Sequence, residues 1–237
     1  MTIDHRPRDP EAWDIGCARD MVRNELVIPH LRELLRRSGA RSVIDIGCGS
    51  GYIAREVARG LEQSVAWRLI DVDQDTLAYA VRSMSDEHDV QELLIDLTCP
   101  AVEGAMQAPF AFAAFTLLEF PMTQTVATNL AAFVDPGGIL ALYMPDVLAD
   151  VERAELTTPG LLRRYQRGHC ELPKLDKFTQ RDYAFHANRL EFIIRDLGAA
   201  GLHLVGLDRL PRQSAGDDAD GSIFCLRFIR PAEHDAA

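Results

Sequence analysis

Val43-Ile44-Asp45-Ile46-Gly47-Cys48-Gly49-Ser50-Gly51 is an apolar run that ends in three alternating glycines. The run reads as a buried strand, and Tyr52 to Arg59 continues with helical spacing. Glycine serves where the backbone turns with positive φ and where a ligand lies directly on the main chain. A strand, a glycine turn and a helix in succession therefore predict a ligand-binding loop at the carboxyl edge of an open sheet.

Outward from this loop, short apolar runs alternate with helical segments. The runs cover residues 42–46, 66–71, 92–96, 111–117 and 139–144, and the helices between them cover 52–59, 76–84 and 123–133. Such alternation implies a parallel sheet covered on both faces, with right-handed crossovers. On the amino-terminal side, Asp9-Pro10 offers an N-cap followed by proline at the first helical position. Ile15, Ala18, Val22 and Leu26 follow at helical spacing, Pro29 should break or kink the stretch, and a second helix closes at Ser38-Gly39. Residues 147–185 carry few strand signals and read as an inserted helical or loop cover. A last helix is expected from about His186 to Ala200, then strands over 203–207 and 222–229 flanking a polar turn at 213–221. They read as an antiparallel pair at the sheet edge.

The chain thus reads as one domain in four parts. Residues 1–40 form a helical cover, 41–146 a cofactor-binding core, 147–185 an inserted substrate cover, and 186–230 the last helix and edge strands. No apolar run spans a bilayer, and the polar start is not a secretory signal, so no membrane association is expected. Five cysteines without a Cys-x-x-Cys pair point to reduced thiols in a cytoplasm and against a zinc site; no metal site is expected. A net charge of -11 disfavours nucleic-acid partners.

The acids narrow the ligand. Asp45, two residues before Gly47, suits an ammonium group and sits awkwardly beside a pyrophosphate. The dinucleotide fingerprint wants a small residue three positions after its second glycine, and Tyr52 stands there. Asp73 follows the second strand, where a carboxylate can accept from both ribose hydroxyls, and Asp96 ends the third. Asp73 could equally cap the helix carrying Leu77, and Asp71 reads as a strand-end residue. Three carboxylates along one rim would suit a sulfonium ligand with an amino group, a ribose and an adenine.

On these residues, and on Asp135-Pro136-Gly137-Gly138 before the fifth strand, the sequence resembles the class I S-adenosylmethionine-dependent methyltransferases. The resemblance is firm over 41–146 and looser beyond. It implies a doubly wound, Rossmann-like, mostly parallel seven-stranded α/β sheet with an antiparallel final strand. It also implies that Gly47, Cys48, Gly49 and Gly51 cradle the methionine part of S-adenosylmethionine and that Asp45 meets its amino group. Asp73 with Gln74 would hold the ribose, Asp96 with Leu97 would bracket the adenine, and Thr116 and Leu117 would lie near the methionine end. Cys48 reads as a small loop residue rather than a nucleophile.

The acceptor is less legible, because displacement at a sulfonium requires orientation and water exclusion more than any one motif. His169, His186 and Glu119 are the candidate catalytic groups: a histidine can take a proton near neutral pH, and Glu119 opens into the cleft after the fourth strand. Within the insertion, the stretch from Leu161 to Arg181 holds Arg163, Arg164, Arg167, Lys174, Lys177 and Arg181 against Glu171 and Asp176. This cluster reads either as a solvated helix face or as recruitment of an anionic acceptor. The Asn/Asp-Pro-Pro-Tyr/Phe motif of base- and glutamine-methylating relatives is replaced by Thr116-Leu117-Leu118-Glu119-Phe120-Pro121. A small-molecule acceptor, as in secondary metabolism, and a monomer or homodimer are expected. A protein or RNA methyltransferase docking through the basic insertion, and a nicotinamide-dependent oxidoreductase, are the alternatives.

Overall fold

Val43, Ile44 and Ile46 are wholly buried, so β1 (Ser42–Ile46) has no solvent face and must lie inside a sheet covered on both sides. The computed structural model describes residues 9–100, 106–175, 182–211 and 222–232. Strands β2 (Ala66–Asp71), β3 (Val90–Leu94), β4 (Ala108–Ala114), β5 (Val134–Pro145), β8 (His203–Leu210) and β9 (Ile223–Ile229) join β1 in the order β3-β2-β1-β4-β5-β9-β8. The β1–β2, β2–β3, β1–β4 and β4–β5 pairings are parallel, and β9 runs antiparallel to both β5 and β8. This is the expected seven-stranded sheet, with the antiparallel strand seated between β5 and the edge.

Helices α2 (Ile28–Ser38), α3 (Tyr52–Arg59) and α4 (Gln74–Arg82) cover one face, packing on Val43, Trp67, Phe110, Phe112 and Tyr143. Helices α5 (Gln124–Ala132) and α8 (Leu190–Ala199) cover the other, over Ile44, Ile46, Leu140, Leu142 and Phe228. The chain leaves β1 toward α3 on the first face and leaves β4 toward α5 on the second. A crevice opens where these connections diverge, beyond the carboxyl ends of β1 and β4.

The amino-terminal segment opens on a capped helix. Asp9 caps α1 (Pro10–Ala18), its Oδ1 accepting the Glu11 and Ala12 amides at 3.1 and 3.2 Å. The break at Pro29 takes a particular form. Proline offers no amide proton, and the preceding turn, Val22–Val27, widens into a π-helix in which Ile28 N–H reaches back to Arg23 O.

Several boundaries move. The third strand ends at Leu94, so Asp96 lies in the following loop; Ile95 N–H still donates to Asp71 O. The fourth strand begins at Ala108, with Pro109 at a register shift, the position a sheet allows proline. It ends at Ala114, because Phe115 takes φ 65° and Thr116–Leu118 forms a 3₁₀ turn. The largest correction concerns the insertion. Besides α6 (Leu148–Glu155) and α7 (Leu161–Gln166) it contains an antiparallel hairpin, β6 (His169–Leu175) with β7 (Asp182–Asn188). His186 therefore sits in a strand opposite Glu171 and does not start the last helix, which begins at Leu190. The alternation is legible only once paired: Cys170, Leu172 and Ala187 turn inward onto Val147, Val151 and Leu161, and the other face carries His169, Glu171, His186 and Asn188. The basic positions Lys177 and Arg181, and the polar turn expected at 213–221, lie outside the described residues.

Candidate functional site

Parallel register places Ile46 beside Ile70, so the glycine loop emerges next to the end of β2. Backbone bonds fix it there. Gly47 N–H and Cys48 N–H both donate to Ile70 O, at 2.7 and 2.9 Å, Gly49 N–H donates to Asp71 Oδ2 at 2.8 Å, and Gly51 N–H donates to Cys48 O at 2.9 Å. Gly47, Gly49 and Gly51 all have positive φ, between 54 and 73°. A side chain at Gly47 would collide with Thr116, whose hydroxyl donates to Ile46 O at 2.7 Å. One at Gly51 would meet Ala80 of α4.

The cavity above this loop is lined by Asp45, Gly47, Cys48, Gly49, Asp73, Asp96, Leu97, Thr116 and Glu119 among the expected residues. Gly51 faces α4 instead, and Gln74, Leu117, His169 and His186 do not line it. Trp13 and Arg23 of the amino-terminal cover, Ser50, Asp71 and Phe115 also line the wall. Asp71 was foreseeable from register, since a residue beside Gly47 on a parallel neighbour must meet the loop. Its Oδ2 holds Gly49, and its Oδ1 accepts the Val72 and Asp73 amides at 2.8 and 3.1 Å. No local pattern marked Arg23 or Phe115, because tertiary packing alone brings the π-helical turn over the loop.

Asp45 is 2 % exposed, and its Oδ2 has no hydrogen-bond partner. Burial, and then the charge of Asp71, push its carboxyl well above the usual range. Asp73 does two things: its Oδ1 caps α4 by accepting Thr76 N–H at 2.7 Å, and the same side chain faces the cavity. Asp96 Oδ1 accepts from Thr98 N–H and Oγ1 at 2.8 and 2.7 Å. Asn129 steadies that loop by donating to Leu97 O and Cys99 O. Burial, with Asp45 and Asp71, pushes the Cys48 thiol above its ordinary value, the opposite of what activates a nucleophilic cysteine. The exposed Arg163, Arg164 and Arg167 stand away from the cavity.

Beyond the lined wall, Asn188 Nδ2 donates to Leu117 O and Phe120 O at 2.6 and 3.1 Å, and Asn188 Oδ1 accepts Met122 N–H at 2.8 Å. These bonds fasten the hairpin to the loop that carries Thr116 and Glu119. His186, on the same strand face, is 8 % exposed with its Nδ1 unpartnered. Burial holds its imidazole below the usual value, against the raising effect of Glu171.

A glycine loop after β1, acids beyond β1, β2 and β3, and the order β3-β2-β1-β4-β5-β9-β8 build a Rossmann-like fold of the kind methyltransferases use. Residues 43–138 match the family model described as a methyltransferase domain. It is 28 % identical over 117 residues to malonyl-[acyl-carrier protein] O-methyltransferase of Halalkalibacterium halodurans, a match covering 47 % of this chain and 42 % of the relative. The match thus spans about two fifths of that relative's length.

Among solved structures, an O-methyltransferase family protein from Burkholderia thailandensis superposes with TM-score 0.62 at 18 % identity, over 98 % of this chain and 62 % of that one. Magnesium protoporphyrin IX methyltransferase from Synechocystis PCC 6803, with bound S-adenosylhomocysteine, gives 0.60 at 15 % identity, over 88 % and 84 %. The N-methyltransferase NodS of Bradyrhizobium japonicum WM9 gives 0.54 at 16 %, over 86 % and 96 %.

The family's methyl donor is S-adenosylmethionine, and the residues here fit it. The orphaned, buried Asp45 oxygen asks for a cationic group, and Asp73 and Asp96 stand on the same wall for hydroxyl and amino groups.

Proposed function

We propose that the protein transfers a methyl group from S-adenosylmethionine to an O, N or C atom of a small molecule, in a reducing, cytoplasmic setting. When bound, the donor supplies an activated methyl group on a sulfonium. The chain's own work is then to hold the donor, orient the acceptor in line and exclude water. The observation that carries this reading is the sealed Asp45 carboxylate, aimed at a cavity whose wall also holds Asp73 and Asp96. The relatives act on varied acceptors, among them a carrier-bound malonyl group and a porphyrin, which supports a metabolite rather than a nucleic acid. Cys17, Cys48, Cys99, Cys170 and Cys225 are all free thiols, in keeping with a reducing compartment. We infer that the segment from α6 to β7 covers the acceptor side, because its hairpin is bonded to the loop bearing Glu119.

Calorimetry tests the donor. S-adenosylmethionine should bind and NAD should not; the reverse result returns the chain to the oxidoreductases. Asp73→Ala should weaken S-adenosylmethionine at least about tenfold, the loss of a charged hydrogen-bond acceptor. Because Asp73 also caps α4, that variant should lose about 1 kcal/mol of stability and melt lower. Asp73→Asn keeps a capping oxygen, so it should restore most of the stability without restoring the affinity.

A hydroxyl acceptor must lose a proton. Glu119 stands on the cavity wall, and His186, whose imidazole burial holds below its usual value, lies off that wall on the strand face that also carries Asn188. Once an acceptor is in hand, Glu119→Gln and His186→Gln rates decide between them. We expect the larger fall in kcat, on the order of a hundredfold, from Glu119→Gln. A fall confined to His186→Gln would make the histidine the base.

A further inference from the structure

The donor's methionine end carries an ammonium and a carboxylate on one carbon. Asp45 answers the ammonium, but the glycine loop has few donors left for the carboxylate. The amides of Gly47, Cys48, Gly49 and Gly51 are all engaged inside the protein, by Ile70, Asp71 and Cys48. The loop therefore offers room and shape more than hydrogen bonds.

Among the described residues lining the cavity, one side chain is cationic, Arg23, against five carboxylates. It sits in the π-helical turn with its side chain 14 % exposed, and its guanidinium carbon lies 4.8 Å over the Phe115 ring. Phe115 takes a left-handed backbone, unusual for a bulky side chain, as the chain leaves β4. Asp20 orients Arg23 through Nη1; the Asp20 carboxylate also accepts the Val22 and Arg23 amides, which spreads its charge. A guanidinium has five N–H donors in a rigid fork matched to a carboxylate, and stacking on a ring leaves its edge available. Ser50 Oγ, buried and unpartnered, is a second donor on the same wall.

We propose that Arg23, seconded by Ser50, is the carboxylate receptor of this cavity. This rests on the reading that the chain binds S-adenosylmethionine. The donor's own α-carboxylate is the expected occupant, and an acceptor carboxylate is the other source of the same chemistry.

The test compares S-adenosylhomocysteine with 5′-methylthioadenosine, which shares the adenosine and thioether but lacks the amino-acid end. Calorimetry on wild type, Arg23→Gln and Arg23→Lys gives the affinity ratio of the two ligands. Arg23→Gln should weaken S-adenosylhomocysteine about ten- to a hundredfold and leave 5′-methylthioadenosine unchanged. Arg23→Lys, which keeps the charge and loses the fork, should fall between. Methylthioadenosine binding doubles as the check that each variant folds.

A second arm titrates hexanoate and hexanamide into the homocysteine-loaded protein. If Arg23→Gln leaves the nucleoside ratio intact but abolishes a preference for hexanoate, the receptor stands and its carboxylate comes from the acceptor. If neither ratio moves, Arg23 is not a carboxylate receptor. Wild type that binds neither nucleoside overturns the methyltransferase reading and this assignment with it, whereas wild-type binding with unmoved ratios overturns the assignment alone.

Discussion

Asp45 is placed against its own solvation. A wholly buried carboxylate without a full set of donors destabilises the folded chain, and its raised pKa expresses that cost. Its folded pKa lies above the unfolded value of about 3.9, so its contribution to stability is full below that value. The contribution is lost as pH rises through the folded pKa. Asp45→Asn should therefore stabilise the ligand-free protein at neutral pH by about 1–3 kcal/mol, raising its melting temperature, and flatten the decline of stability with pH. The same change should weaken S-adenosylmethionine. Thermal melts from pH 4 to 8, with and without the nucleoside, read both effects. A variant that melts no higher than wild type at pH 7 would mean that Asp45 is solvated or paired after all.

At the scale of elements, α1 is short and half exposed, yet Trp13 on it roofs Gly49. Two ties hold it down. Arg55 of α3 donates from Nη2 to both Asp14 oxygens at 2.9 Å. Tyr52 donates its hydroxyl to Asn24 Oδ1 at 2.7 Å, and Asn24 Nδ2 donates to the carbonyls of Cys17, Ala18 and Asp20. The roof is thus bonded to the helix that the glycine loop starts. A double-mutant cycle on Asp14→Asn and Arg55→Gln should give a coupling of about 1.5–3 kcal/mol in stability. Stopped-flow should show faster release of S-adenosylhomocysteine from either variant. Unchanged release would mean that α1 does not retain the ligand.

Across the whole molecule, the hairpin cover meets the core through Asn188, which is 2 % exposed and bonded to three backbone groups of the 117–122 loop. Asn188→Ala would strand two carbonyls and one amide, so it should cost at least about 2 kcal/mol. The loss should be local: hydrogen exchange should speed first at residues 117–122 and in β6–β7, with β1, β4 and β5 protected. Uniform exchange across the chain would show that cover and core open as one unit.

The central strands, the glycine turn and the alternation of strand and helix could be read directly, because their period and chemistry are local and strong. The edges were harder. Asp96 was expected at a strand end and lies beyond it, since β3 is an exposed edge strand whose pattern is not apolar. The hairpin of the cover was missed because its inward face, Cys170, Leu172 and Ala187, buries against a small satellite core and not the main one.

What the sequence by itself determined is the doubly wound sheet, the loop after β1 and the row of acids beyond the strand ends, because each follows from neighbours along the chain. Which of those groups share a cavity was decided by tertiary structure. Sheet register put Asp71 under Gly49, a π-helical turn swung Arg23 over Phe115, and β-pairing carried His186 from an expected helix end into a buried strand face. Contacts between distant segments depend on how faces meet, and no stretch of sequence encodes that alone.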